Sequence, residues 1–157
     1  MTRSMRQPHN VHVFVFRRAA AEPEYALFRR SDDGQWQSVS GGVEGEESLG
    51  AAARREFTEE TGLPAGADLF ELDMRSGVQK ASFKAADLWP DDLYIVRKHY
   101  FAIEVPGAGA RIELSREHRE CRWLGYADAY VTLSYDDDRN ALWELDARIR
   151  RDDLRRY

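Results

Sequence analysis

Residues 41–63 read GGVEGEESLGAAARREFTEETGL, and the interpretation of the whole chain starts from this stretch. From Glu47 to Thr61 it has no proline and one glycine, and its alanines, glutamates and arginines favour a helix. The glycines at positions 41, 42 and 45 mark a loop, and Gly62 stands where a helix C-terminal glycine is typical. The stretch therefore predicts a loop followed by a helix over residues 47–61.

The glutamates of this helix share its apolar side. At about 100° per residue, Glu56 and Glu60 fall within the apolar arc and Glu59 falls at its edge. Carboxylates three and four residues apart repel one another, and a buried carboxylate without a partner costs several kcal/mol. Such a cluster needs a cation, and oxygen ligands suit Mg²⁺ or Mn²⁺.

The same phase divides the other helix residues between two faces. The arc expected to face the core holds Leu49, Ala52, Ala53 and Leu63, with Phe57 just past its edge. The opposite face is expected to hold Arg54, Thr58 and Thr61. The alternative is a solvated acidic face in which Arg54 and Arg55 are ion-pair partners, and the helical phase disfavours it.

Gly41, Glu47 and the run Arg55–Leu63 also match a longer pattern. The stretch resembles the Nudix box, the signature of the MutT-type Nudix hydrolases, although many members have glycine where this chain has Glu46. The resemblance implies the Nudix fold, an α+β (α/β/α) sandwich with a mixed β-sheet between helices and a loop-helix-loop catalytic motif. It also implies Mg²⁺- or Mn²⁺-dependent cleavage of a pyrophosphate bond in a nucleoside diphosphate linked to another group.

The resemblance also gives the box residues their expected roles. The expected metal ligands are box glutamates and one backbone carbonyl group: Glu56, Glu59, Glu60, Glu47 and Gly41. Arg55 is expected to orient the carboxylates, and it belongs with Glu56 and Glu59 to the expected catalytic set. The alternative role for Glu47 is that of a helix-capping and salt-bridge residue, since the helix dipole favours a negative charge there.

Composition limits the kind of protein. The chain has 157 residues, 43% hydrophobic and 32% charged, which predicts a single domain over residues 1–157. The net charge of −5 and the absence of a basic stripe argue against a long nucleic acid as partner. No apolar run approaches the ~20 residues that span a bilayer. One cysteine, Cys121, suits a reducing compartment, so a cytoplasmic location without a membrane partner is expected.

The rest of the chain favours short strands and two late helices. Strands are predicted over residues 11–16, 24–30, 36–40, 68–78, 93–105 and 121–124, with a further extended segment at 112–114. Helices are predicted over residues 125–133 and 136–150. Residues 1–10 are predicted to be an irregular leader, 79–92 an irregular insertion and 106–109 a hairpin-type connection. His12 and Cys121 are predicted to be packed, and packing is also favoured over substrate stacking for Phe83 and Trp89.

Further catalytic residues are sought outside the box. Members of the resembled family often use an additional glutamate as ligand or base, and the candidates here are Glu104, Glu113, Glu117 and Glu120. Glu117 is favoured because EHRECRWL resembles a Glu-His…Trp pattern found late in many members; the alternative is a plain loop glutamate. Arg29 and Arg30 are candidates for binding substrate phosphates, against ordinary pairing with Asp32 and Asp33. Trp36 is a candidate for contacting the substrate, with a core position as the alternative.

Three functions remain open at this stage. Residues 29–48, 116–124 and 134–145 resemble the dihydroneopterin triphosphate pyrophosphatase branch, which implies a pyrophosphohydrolase of a pteridine or purine nucleoside triphosphate. A second reading is a Nudix hydrolase of dinucleoside polyphosphates, nucleotide sugars or capped RNA. A third is a non-catalytic Nudix-fold module, which the complete set of box carboxylates disfavours. Homodimers are frequent in the family, but the sequence identifies no interface.

Overall fold

One mixed sheet of seven strands organises the part of the chain that the computed structural model describes, residues 5–107 and 110–157. The strands are β1 (Arg6–Arg18), β2 (Pro23–Arg30), β3 (Trp36–Gln37), β4 (Val39–Glu44), β5 (Leu69–Gln79), β6 (Ile95–Glu104) and β7 (His118–Gly125). The helices are α1 (Leu49–Thr61), α2 (Tyr126–Thr132) and α3 (Asp136–Arg150). Two short 3-10 turns cover Lys80–Ser82 and Lys84–Leu88.

Strand β1 lies at the centre of the sheet. It pairs in parallel with β6, whereas its pairings with β2 and β4 are antiparallel. The strand order is β3-β2-β1-β6-β5, with β4 added to β1 and β7 added to β2. The register places Gly41 of β4 opposite Val11 of β1, and Glu120 of β7 opposite Arg29 of β2. Two strands with polar side chains, β4 and β7, are therefore held near the same end of the molecule.

Both faces of the sheet carry an apolar core. On one face Val11, Val13 and Val15 pack with Ala53 and Phe57 of α1. On the other, Phe14 and Phe16 pack with apolar residues of α2 and α3, among them Ala129, Leu142 and Leu145. The alternating side chains of β1 are thus buried on both sides, as expected for a central strand. This arrangement confirms the predicted fold, a mixed sheet between helices.

Several predicted boundaries are confirmed, and others are wrong. Strand β5, strand β6 and helix α3 begin and end within two residues of the predicted positions. The irregular leader is wrong for residues 6–10, because β1 begins at Arg6 and pairs with β4 and β6. No strand covers residues 112–114, and β7 begins three residues earlier than predicted. Residues 1–4, and residues 108–109 of the predicted hairpin-type connection, lie outside the described residues.

Two details of the box also differ from the prediction. Gly41 and Gly42 belong to strand β4, so the loop is limited to the turn at Gly45, whose φ is 55°. Thr61 is buried rather than exposed. Its hydroxyl donates to the Phe57 carbonyl oxygen at 2.6 Å and accepts from the Leu63 amide at 3.1 Å, so it closes the last turn of α1.

Predictions of packed side chains are confirmed for three residues. His12 is 4% exposed and stacks on Tyr100, with the ring centroids 4.9 Å apart. Trp89 is buried, and its indole N–H donates to the Arg6 carbonyl oxygen at 2.7 Å. Cys121 packs against the core, and burial raises the pKa of its thiol to about 12, which suits a packed residue rather than a nucleophile. Within the described residues, no helix is long and apolar enough to cross a membrane.

Candidate active site

Helix α1 presents the carboxylates of the box because both of its ends are fixed. Ser48 precedes the helix, and its hydroxyl oxygen accepts from the Ala51 amide at 3.1 Å. Gly62 follows it with a φ of 72°, and its amide donates to the Thr58 carbonyl oxygen at 2.9 Å. The predicted helix, with its glycine at the C-terminal end, is confirmed.

Glu56 is a buried carboxylate that lies against strand β4. It is 6% exposed, and a Cβ atom added to Gly41 would overlap its carboxylate group. A side chain at position 41 would therefore displace the carboxylate from its place beside the strand backbone. Burial raises the pKa of Glu56 to about 7, although the Arg55 guanidinium opposes this effect.

Arg55 joins the acidic side chains to each other. Its guanidinium donates to Glu47 at 2.7 Å, to Glu56 at 2.9 Å and to Glu59 at 3.3 Å. It also donates to the Gly42 carbonyl oxygen at 2.8 Å, which ties the helix to β4. These contacts correspond to the orienting role that the resemblance implied for Arg55. They hold the pKa of Glu47 below its ordinary range.

Glu60 faces a different partner. It is 2% exposed, its Oε2 lies 2.6 Å from Nδ1 of His118, and the same oxygen accepts from the Ser115 hydroxyl at 2.7 Å. Burial opposes ionisation, but the close contact with the His118 ring nitrogen and the hydrogen bond from Ser115 outweigh it and lower the pKa of Glu60. The other ring nitrogen of His118, Nε2, lies 3.0 Å from the Gln37 amide nitrogen. A buried chain of polar groups therefore runs from α1 through β7 to β3.

Glu117 lies next to this series of polar groups, directly before the first residue of β7. Its side chain is exposed, and its carbonyl oxygen accepts from the Ser31 amide at 2.8 Å. Partial loss of hydration and the neighbouring Glu60 carboxylate raise the pKa of Glu117. A carboxyl group whose pKa is raised in this way is better suited to accept a proton near neutral pH. The structure thus brings Glu117 close to the box.

The three predicted substrate-binding residues have different surroundings. Arg30 pairs with Asp32 at 2.6 Å, which matches the alternative reading, but it also lines two cavities beside the box. Arg29 donates to the Gly34 carbonyl oxygen at 3.2 Å and lines neither of these two cavities. Trp36 packs against the core on the α3 side of the sheet, with the Arg122 guanidinium 4.9 Å from its ring centroid.

The box residues fit a hard cation by their chemistry. Across residues 5–107 and 110–157, no three His, Cys, Asp or Glu side chains form a ready-made metal cage. Mg²⁺ does not need one, since it usually takes one or two protein carboxylates and keeps waters or substrate phosphates. Glu56, Glu59 and the Gly41 carbonyl group offer oxygen donors of this kind, and Glu56 is a buried carboxylate that a cation would stabilise.

Sequence reasoning missed three members of the site: Ser115, His118 and Gln37. His118 stands directly after Glu117 in the Glu-His run that favours that glutamate, so the sequence does contain a signal for it. Gln37 belongs with Trp36 to the segment whose resemblance suggests the substrate, but its contact with His118 has no signal in the sequence. Ser115 had no signal, because its role depends on how the segment before β7 approaches α1.

Comparison with known proteins identifies the family. Residues 6–145 match the family model of the NUDIX domain, and the chain belongs to this family. A solved Nudix hydrolase from Listeria monocytogenes superposes with a TM-score of 0.85 at 32% identity, covering 95% of this chain and 99% of that one. These matches support the predicted enzyme class, a Nudix-type pyrophosphohydrolase.

Further relatives differ in their reactions. The chain is 31% identical over 122 residues to a bis(5'-nucleosyl)-tetraphosphatase (asymmetrical) from Sus scrofa, covering 77% of each protein. It is 32% identical over 127 residues to an octanoyltransferase from Myxococcus xanthus, where the match covers 80% of this chain and 33% of that protein. The Escherichia coli dihydroneopterin triphosphate pyrophosphohydrolase superposes with a TM-score of 0.74 over 90% of this chain and 97% of that one. At 21% identity, that last likeness concerns the fold alone.

Proposed function

We propose that the protein is a Mg²⁺-dependent hydrolase that cleaves a pyrophosphate bond in a small nucleotide-like substrate. One observation carries this proposal: a buried carboxylate, Glu56, is fitted against Gly41, held by Arg55, and feels the negative charge of Glu117, which lines a polar cavity. A carboxylate in such a position destabilises the fold unless a cation compensates it. Arg30 and Arg116 line this cavity of about 320 Å³, and their guanidinium groups would bind the phosphates of a substrate there.

Each residue of the site has a proposed role in the reaction. Bound Mg²⁺ would neutralise phosphate charge and lower the pKa of a water molecule. Glu56 and Glu59, with the Gly41 carbonyl group, are proposed to hold it, and Glu47 and Glu60 to support them. Arg55 orients the carboxylates, and Glu117 is proposed as the base that takes a proton from the attacking water. Arg30 is proposed to contact the phosphates directly, and Mn²⁺ would serve in place of Mg²⁺.

The first candidate substrate is a nucleoside triphosphate or dihydroneopterin triphosphate. The resemblance of residues 29–48 to that branch supports it, as does the place of Gln37 and Arg30 beside the box. Arg29 and Trp36 belong to the same segment, and we keep them as weaker candidates for contacts with this substrate.

We also propose that the protein is cytoplasmic and forms a homodimer.

A second candidate is a dinucleoside polyphosphate. The observation that favours it is the tetraphosphatase from Sus scrofa, which is 31% identical and matched over 77% of both chains. Both candidates contain phosphoanhydride bonds and require the same metal site, so the box does not distinguish between them. The two candidate substrates differ in that a dinucleoside polyphosphate has a second nucleoside, which would need a place outside these two cavities.

A hydrolysis assay with Mg²⁺ tests the proposal. The panel should hold dihydroneopterin triphosphate, nucleoside triphosphates, diadenosine tetraphosphate, ADP-ribose and nucleotide sugars, with phosphate or pyrophosphate release as the readout. We expect turnover of one of the first three classes, lost on chelation and lost in Glu59→Gln. The matched control is Glu46→Gln, an exposed glutamate of the same stretch, which should keep full activity. Mg²⁺ binding without turnover of any compound would contradict the proposal and favour a binding module.

A further inference from the structure

A second, larger cavity opens beside the site. It measures about 580 Å³, within the range of sites that hold small molecules. Residues of β1, β5, β6 and α3 line it, together with Phe83 from the segment after β5. Its most polar wall is formed by Lys98, Asp137 and Asp138.

The charged groups of this wall form a compact network. The Lys98 ammonium donates to Oδ2 of Asp137 at 2.6 Å and lies 3.6 Å from Oδ1 of Asp138. The Tyr100 hydroxyl donates to Asp138 at 2.8 Å, and the Ser76 hydroxyl donates to Asp137 at 2.8 Å. Lys98 and Asp138 are buried, and burial of an ion pair seldom stabilises a fold by itself. A role in recognition accounts for the pair better than stability does.

A buried histidine on the same cavity also lacks a partner. In the described part of the chain, neither ring nitrogen of His12 has a hydrogen-bond partner, and the nearest carboxylate oxygen, of Asp138, is 4.0 Å away. A buried polar group left in this state destabilises the fold. The cavity therefore combines an ammonium group, two carboxylates and an unpartnered imidazole in one place.

The cavity is joined to the site by shared residues. Gln37 and Arg30 line both this cavity and the smaller one that contains Arg116 and Glu117. Gln37 also contacts His118, which in turn contacts Glu60 of the box. A substrate with its phosphates at the box would therefore direct its other end towards the larger cavity.

We propose that this cavity binds the ring of the substrate, and that Lys98 and Asp137 select a ring with a carbonyl group beside N–H donors. Guanine and pterin share such an edge, a carbonyl oxygen followed by a ring N–H and an amino group. The inference rests on the proposed function, because it assigns the non-phosphate end of the same substrate. Lys98 and Asp137, the ion pair on the wall of the cavity, are then the residues that determine specificity.

The chemistry of the pair matches this edge. An ammonium group has three donors, so Lys98 keeps donors for a ring carbonyl oxygen while it holds Asp137. A carboxylate has four acceptor positions on its two oxygens. In Asp137 the Lys98 ammonium, the Ser76 hydroxyl and the Asp138 amide take three of them, which leaves one on Oδ1 for the ring N–H. At the corresponding positions adenine has an amino group in place of the carbonyl oxygen and a bare nitrogen in place of the ring N–H. It therefore lacks both the acceptor for Lys98 and the donor for Asp137. Hydrogen bonds to charged groups make that loss worth about tenfold or more in affinity.

Binding of nucleoside diphosphates to the whole protein tests the inference without requiring turnover. Calorimetric titrations with GDP, IDP and ADP compare the complete edge, the edge without its amino group, and the adenine edge. We expect GDP to bind at least about tenfold more tightly than ADP, and IDP to bind within about threefold of GDP because it keeps the carbonyl oxygen and the ring N–H. Equal dissociation constants for the three compounds, within threefold, would overturn the inference.

Variants of the pair locate the selectivity. Asp137→Asn keeps the size of the side chain and should reduce the GDP preference to within about threefold. Asp136→Asn is the matched control, because Asp136 is the preceding residue of α3 and its side chain is 94% exposed. It should leave the preference unchanged. An unchanged preference in Asp137→Asn would refute the assignment, and the comparison of rings in the wild-type protein remains valid if that variant unfolds.

The two proposals fail in different ways. Loss of all turnover across the hydrolysis panel would reject the proposed function while leaving the diphosphate titrations to judge the ring site. Conversely, Mg²⁺-dependent turnover of triphosphates with no discrimination between guanine and adenine would keep the proposed function and reject the ring site.

Discussion

Replacing Glu56 with glutamine should stabilise the metal-free protein at alkaline pH, although it should abolish hydrolysis. The carboxylate is 6% exposed, and burial raises its pKa to about 7, from an ordinary value of 4.5. Between these two values the folded protein retains a proton that the unfolded chain has lost. Stability therefore falls as the pH rises from about 4.5 to about 7, and the full penalty is present above pH 7.

The size of the effect follows from the two pKa values. Their difference, multiplied by about 1.4 kcal/mol per pH unit, gives a penalty of about 3 kcal/mol at pH 8. At pH 5 the penalty is below about 1 kcal/mol, because the unfolded chain has lost only part of its proton there. Glutamine is neutral at both pH values and can still accept from Arg55. We therefore expect Glu56→Gln to raise the Tm by about 6–12 °C at pH 8 and by much less at pH 5.

Thermal and urea unfolding in the presence of a chelator measure this difference. The matched control is Glu59→Gln, since Glu59 is on the same helix but its side chain is 54% exposed. Its effect on stability should stay within about 0.5 kcal/mol at both pH values. Addition of Mg²⁺ at pH 8 should raise the Tm of the wild-type protein more than that of Glu56→Gln. A Glu56→Gln protein that is no more stable than wild type at pH 8, or equally stabilised at pH 5, would refute this reasoning.

Three further predictions concern the same site. Gly41→Ala should lower the hydrolysis rate about 100-fold with an unchanged circular dichroism spectrum, because the new Cβ displaces the Glu56 carboxylate; a rate within threefold of wild type would contradict it. Arg55→Met should lower the free energy of unfolding, measured by urea titration, by about 2–4 kcal/mol, because Arg55 contacts the buried carboxylate. The control Arg54→Met should lower it by less than about 1 kcal/mol, because Arg54 contacts backbone carbonyl groups instead. Glu117→Gln should lower kcat by about 100-fold or more with the Tm unchanged, and a kcat within threefold would remove it from the mechanism.

The sequence predicted the half of the site that lies within one helix. The positions of Glu56 and Glu60 followed from helical phase, because side chains of a single helix keep fixed angular relations. Both are buried as that phase required, whereas Thr61 contradicts it. A hydroxyl at the last turn bonds to the backbone and is tolerated in the interior, which phase alone does not consider.

The remaining half could not be predicted because it depends on strand pairing. Gly41 reaches Glu56 only because β4 adds to β1, and the pattern of glycines around it is equally typical of a loop. His118 reaches Glu60 because β7 pairs with β2, although β7 lies far from the box in the sequence. Such contacts join residues that are far apart in sequence, so no local pattern indicates them.

The two buried glutamates of α1 are stabilised in different ways, and this difference explains how one helix serves two purposes. Glu60 contacts His118 and Ser115, so its charge is already compensated within the protein and its pKa is lowered. Glu56 depends on Arg55, which it shares with Glu47 and Glu59, and its pKa remains raised. A cation bound with a substrate would therefore stabilise the charge of Glu56 more than that of Glu60. Glu60 in turn connects α1 through His118 to Gln37, and so to the cavity in which we place the substrate ring.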